Sequence, residues 1–215
     1  LVGHKGLVQN IRFSDDGKIL ASGGHDKMVI LWDVKTGKEL HKLFGHTKNI
    51  SEVTFNPNST LIASASEDGT VRVWHVGNGV LYGVYQNIPQ ASIRNPQKSV
   101  SFVTFSPDGK YMYFAGDGGS VMRANISIPN QKAEILTNIS VQNSYRRMTG
   151  GTISPDKTSL ILTTGNYWAV LDLQTGKFLR SHYYKYASLN DIVSEPYVNQ
   201  KYVSVWSYDG YVTVW

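Results

Sequence analysis

Cysteine is absent from all 215 residues. Its absence excludes a disulfide framework, a thiol nucleophile and any zinc site built on thiolates. It leaves the compartment open, because disulfide-free proteins occur on both sides of a membrane. Charge is sparse: 17% of residues are charged, and the net +5 is scattered with no run of five or six like charges. That pattern argues against nucleic acid as a partner. No apolar run approaches the ~18 residues of a membrane-spanning helix. The opening Leu1-Val2-Gly3-His4 has no initiator methionine, and no basic segment leads into an apolar one as in a signal peptide. The missing methionine points to a processed chain or an excised segment.

What is present is apolar and turn-rich. Hydrophobic residues make up 41%, aromatics 12%, and there are 20 glycines against seven prolines. This is too apolar for a disordered chain and suits one that turns often and pairs strands between turns. The chain also repeats itself. His4, Phe13, Ser22, Asp26 and Trp32 recur as His46, Phe55, Ser64, Asp68 and Trp74, each 42 residues on. Phe13, Phe55, Phe105 and Ile153 each precede a turn, and Ser207 to Trp215 tracks Ser66 to Trp74. The anchors Trp32, Trp74, Ala124, Leu171 and Trp215 mark five units spaced by 42, 50, 47 and 44 residues.

Each unit reads as strands. In the second, Ile50–Phe55, Leu61–Ala65, Thr70–Trp74 and Val80–Val84 are β-capable and separated by turn chemistry. No segment carries a sustained helical apolar stripe. The expected fold is all-β: a β-propeller of four-stranded antiparallel blades repeated radially. The expected organisation is a single propeller domain or segment over 1–215. Its blades fall near 5–44, 45–85, 86–140, 141–183 and 184–215, with 1–4 as the end of an outer strand.

Gly3-His4, Gly45-His46 and Trp32-Asp33, at this period, resemble the WD-repeat family. The resemblance is strong over 2–84, and thinner afterwards, where Ala124-Asn125 and Leu171-Asp172 replace the Trp-Asp pair and Gly-His is missing. His4, Ser22 and Asp26, and again His46, Ser64 and Asp68, have the residue types of a catalytic triad. The resemblance implies another role for them: with Trp32 and Trp74 they would form buried hydrogen-bond networks, one per blade. Repetition with a tryptophan each time favours that structural role.

No cofactor or metal is expected. His25, His41, His75 and His182 lack ligand spacing. Gly116-Asp117-Gly118-Gly119 lacks the lysine of a phosphate loop and the carboxylate series of a calcium loop, and reads as a tight hairpin.

In the family, the Gly-His and Glu-Asp-Gly elements lie on one face. Two insertions, within Tyr85 to Lys98 and Leu136 to Met148, enter first strands and so fall on that face, where repeat proteins often bind. The resemblance therefore implies a non-catalytic scaffold presenting this face to a protein or peptide partner. The partner-binding candidates are Lys5, Leu7, His25, Lys48, Asn49, Glu67, Arg146, Arg147 and Tyr208. The rival readings are a propeller enzyme and a carbohydrate- or small-ligand-binding module. A weaker one is a phosphoinositide site at Tyr145-Arg146-Arg147. The basic-aromatic stretch Arg180 to Tyr186 reads as an outer strand and loop. The strand count favours an arc of a larger, seven-bladed ring over closure at five, with further blades or fused domains in a longer parent.

Overall fold

Turns of one chemistry punctuate the chain. Ser14 Oγ donates to Asp16 Oδ1 at 2.7 Å, Asp16 Oδ1 accepts the Lys18 amide, and Ser14 Oγ accepts the Ile19 amide. Ser106-Asp108-Lys110-Tyr111 and Ser154-Asp156-Thr158-Ser159 repeat the pattern, and Asn56-Asn58-Thr60-Leu61 reproduces it with amides. The matching turn residue is left-handed in all four, Gly17 and Gly109 at φ 67° and 71°, Ser59 and Lys157 at 54° and 63°. Such turns reverse the chain tightly, so adjacent segments pair antiparallel.

The computed structural model describes residues 1–86, 99–138, 148–164, 167–183, 189–193, 204–207 and 212–214, with backbone alone from residue 182 onward. Among these residues there is no helix. The first sheet is β1 (Val8–Phe13), β2 (Ile19–Gly24), β3 (Val29–Asp33) and β4 (Glu39–Leu43); the second is β5 (Ile50–Phe55), β6 (Leu61–Ser66), β7 (Thr70–His75) and β8 (Leu81–Gln86). The third is β9 (Val100–Phe105), β10 (Tyr111–Gly116), β11 (Ser120–Asn125) and β12 (Glu134–Asn138). The fourth is β13 (Met148–Ile153), β14 (Ser159–Thr164), β15 (Tyr167–Asp172) and β16 (Phe178–Tyr183). These are four antiparallel meanders in sequence order, the blades of a β-propeller. A fifth sheet shows three strands, β17 (Leu189–Val193), β18 (Ser204–Ser207) and β19 (Val212–Val214). Leu1 and Val2 belong to no strand and are 67% and 97% exposed.

Register carries the repeat into space. The anchor residues Trp32, Trp74, Ala124 and Leu171 sit opposite Leu20, Ile62, Met112 and Leu160, the same rung in each of the four sheets. The first strands of successive sheets lie against one another, so they form the inner layer around which the sheets are arranged.

The core lies between sheets. Ala21, Val29, Leu31 and Leu43 of the first pack on Ile50, Val53, Ile62 and Trp74 of the second. Ala63, Val71, Val73 and Tyr85 meet Val103, Met112, Phe114 and Met122; Phe102, Tyr113 and Val121 meet Met148, Leu160, Leu162 and Leu171. Both faces of an inner blade are thereby buried, which explains the near-continuous apolar runs of β6, β10 and β14.

Candidate functional site

The two His-Ser-Asp sets are built across their own sheets. In the first, His4 Nδ1 lies 2.9 Å from both Asp26 carboxylate oxygens, His4 Nε2 lies 2.8 Å from Ser22 Oγ, and Trp32 Nε1 donates to that same Oγ at 2.8 Å. In the second, His46 Nδ1–Asp68 Oδ2 and His46 Nε2–Ser64 Oγ are both 2.8 Å, and Trp74 Nε1 donates to Ser64 Oγ at 3.2 Å. All groups are satisfied when Nδ1–H donates to aspartate and serine donates to Nε2. The serine oxygen then holds an indole N–H as well, and Ser22 and Ser64 are 4% and 0% exposed. Both hydroxyls are thus engaged by a histidine and an indole at once and are covered by the surrounding sheet.

Each aspartate also ties down the loop entering its blade. Asp26 accepts the Lys5 amide and Asp68 the Thr47 amide, at 2.8 and 2.9 Å. Asp68 accepts further from Thr70 Oγ1 at 2.7 Å. Burial by itself would raise the Asp68 pKa, but the bonds from His46, Thr70 and the Thr47 amide outweigh it and hold the carboxyl well below its ordinary range. Asp26 is lowered for the same reasons, against a smaller opposing burial.

In the third and fourth sheets the serine's rung is apolar. Phe114 and Leu162 occupy the rung of Ser22 and Ser64 and are 0% and 1% exposed. An interior position can be a fully bonded polar network or a hydrophobic one, and this chain uses both.

The candidate partner residues fall into three groups. Lys5, Leu7 and His25 sit at the end of the first sheet where β1 begins and β2 turns into β3; the His25 amide donates to Leu7 O at 2.8 Å. Lys48, Asn49 and Glu67 occupy the equivalent end of the second sheet, where the Glu67 amide donates to Asn49 O at 3.1 Å. Lys5, Leu7, His25 and Lys48 are exposed, while Asn49 and Glu67 are half-buried. Arg146, Arg147 and Tyr208 lie outside the described residues, as does most of both insertions.

The other sequence motifs resolve individually. His25 Nε2 is 3.2 Å from Gln9 Oε1, His75 meets Tyr82 edge-on at 5.3 Å, and the His182 side chain lies outside the described residues. Among the described residues no three His, Asp or Glu side chains converge. Gly116 to Gly119 forms the β10–β11 turn, with Ser99 Oγ donating to Asp117 Oδ2 at 2.6 Å. No described helix is long and apolar enough to cross a membrane.

One polar arrangement escaped the sequence reading. Inner strands are edge strands, so their outward N–H groups need acceptors from elsewhere. Asn10 Oδ1 accepts the Val53 amide at 3.2 Å, and Glu52 Oε2 accepts the Val103 amide at 3.0 Å. Asn10 and Glu52 are 42 residues apart, the repeat interval, and that was the available signal. Burial pushes the Glu52 carboxyl up to about 7, against the pull of Arg12.

Comparison with known proteins agrees with this architecture. The family described as "WD domain, G-beta repeat" matches residues 1–33, 37–75 and 87–122, together half of the chain. Small ribosomal subunit protein RACK1z of Arabidopsis thaliana is 49% identical over 43 residues, 20% of this chain and 13% of the relative. Small ribosomal subunit protein RACK1 of Caenorhabditis elegans is 44% identical over 45 residues, 21% and 14% respectively. The chain spans only that small share of the relatives it matches, about one repeat unit.

Proposed function

The chain belongs to the WD-repeat family, and we propose that it is a non-catalytic interaction scaffold, its residues 1–215 a single propeller unit that presents one loop-bearing face to a protein or peptide. The observation that carries this reading is the fate of the His-Ser-Asp sets: every member is engaged in buried bonding that fixes the loops entering the first two blades. The chemistry of a triad is thereby converted into rigidity. Rigid loops suit recognition, because little conformational entropy is lost on binding.

Lys5, Leu7, His25, Lys48, Asn49 and Glu67 are the contact residues proposed from the described part of that face. Arg146, Arg147 and Tyr208 are proposed with them from sequence alone. Leu7, 72% exposed, is the apolar anchor, and Lys5 and Lys48 supply charge around it. The relatives are named as small ribosomal subunit proteins, so a ribosome-associated surface is one partner to include in the test.

Cross-linking capture with the intact protein tests the proposal. A protein partner recovered with the wild type should be lost with Leu7→Asp and Lys48→Glu together, and kept with Lys42→Glu on the outer strand β4. Recovery unchanged by the paired substitution would remove this face from the reading.

A further inference from the structure

We propose that the opposite end of the inner strands carries a second, independent site, for a short peptide with a carboxylate beside a large apolar side chain. It stands apart from the face proposed above, which lies where the inner strands begin. The new site lies where β1, β5, β9 and β13 end.

A cavity of about 380 Å³ opens there between the four sheets. That volume is within the range of ligand pockets, roughly 300–1,000 Å³. Its inner layer is one matched repeat position, Arg12, Thr54, Thr104 and Thr152, and its outer layer is the next, with Phe13, Phe55 and Ile153. Pro57, Pro107 and Pro155 frame it from the turns. Those turns are fixed by their own serine–aspartate and asparagine bonds, so the rim is preformed.

The inner layer is rich in uncommitted donors. Among the described residues the Thr54 and Thr104 hydroxyls make no hydrogen bond within the protein, and Thr152 Oγ1 reaches only its neighbour's Ile153 O, at 3.5 Å. Arg12 commits Nη2 to Glu52 and keeps 35% of its side chain exposed. Lys157, exposed on its turn, adds a second cation, and Asp15 is the acid in the lining. Hydroxyls, a guanidinium and an ammonium together favour a carboxylate. The rim favours something apolar: Phe13 is 58% exposed, and Phe55 and Ile153 are half-buried. A free inorganic anion would use the first layer and leave the second without a role. A peptide with an acidic and a large apolar residue side by side uses both.

Selection of a phage-displayed random hexapeptide library on the folded protein tests this, followed by fluorescence anisotropy with the selected peptide. Enriched peptides should pair an acidic with an aromatic or large aliphatic residue. Replacing the acid by its amide should weaken binding about tenfold, the scale of one charge-assisted hydrogen bond. Thr54→Val with Thr104→Val should weaken it about tenfold and Lys157→Gln several-fold, with unchanged thermal melting and with Lys42→Gln as a neutral control. The proposal is overturned if no peptide is enriched, if the amide version binds equally, or if the pocket variants bind as the wild type does.

Discussion

Arg12 and Glu52 meet across the seam between the first two sheets, Arg12 Nη2 donating to Glu52 Oε1 at 3.3 Å. The other Glu52 oxygen accepts the Val103 amide, so this one side chain, 12% exposed, joins three blades. Its carboxyl is raised to about 7 by burial. A raised pKa means the folded state holds its proton more tightly than the unfolded chain. The associated stability is fully present below the ordinary carboxylate range and is lost as pH rises through about 7. Urea unfolding between pH 5 and pH 8 should show this fall, on the order of 1–3 kcal/mol. Glu52→Gln should flatten it; an equally steep profile in the variant would assign the effect elsewhere.

Asp68 has the opposite sign. Its carboxyl is held low, so its contribution is present above the ordinary aspartate pKa and disappears as pH falls below it. Asp68→Ala strips the acceptor from His46, Thr70 and the Thr47 amide. It should destabilise the protein at pH 7 by roughly 1–3 kcal/mol, measured by urea unfolding. Unchanged stability would mean that the network holds nothing in place.

The tetrads were legible in the sequence because a histidine, a serine, an aspartate and a tryptophan recur together, each 42 residues on. Ala124 and Leu171 could be placed by spacing alone, since register fixes the rung whatever side chain stands on it. The Arg12–Glu52–Val103 link was not legible. Its partners are 40 and 51 residues apart and lie in three different sheets, where an arginine or a glutamate on an alternating strand looks like ordinary solvent-facing charge. The cavity at the ends of the inner strands was hidden for the same reason: its lining comes from four strands that come together only when the sheets stack.

Packing across another seam offers a steric test. A Cβ on Gly151 would come within 2.4 Å of the Phe102 ring. Gly151→Ala should cost about 1–3 kcal/mol through overpacking, and Phe102→Leu in the same chain should recover part of it. Additive losses in the double variant, read by thermal melting, would contradict the contact.

The first sheet has one face like no other in the described chain. Val8, Ile11 and Val34 are 49%, 54% and 42% exposed, whereas Ile50, Val53 and Val76, 42 residues on, are 0%, 0% and 5% exposed against the preceding sheet. An uncovered blade face is an adhesive surface. Sedimentation velocity of the 215-residue chain should show concentration-dependent association, reduced by Ile11→Lys. A monomer at all concentrations would show that this face is satisfied in solution.

The His-Ser-Asp sets either hold blades together or do chemistry, and the two roles leave their serines in different states. The direct measurement is treatment of the folded protein with a fluorophosphonate serine probe, followed by peptide mass spectrometry. The buried, doubly bonded Ser22 and Ser64 hydroxyls should remain unlabelled while the native fold persists. Stoichiometric labelling of either serine in the folded state would contradict a structural role and return the chain to the hydrolases.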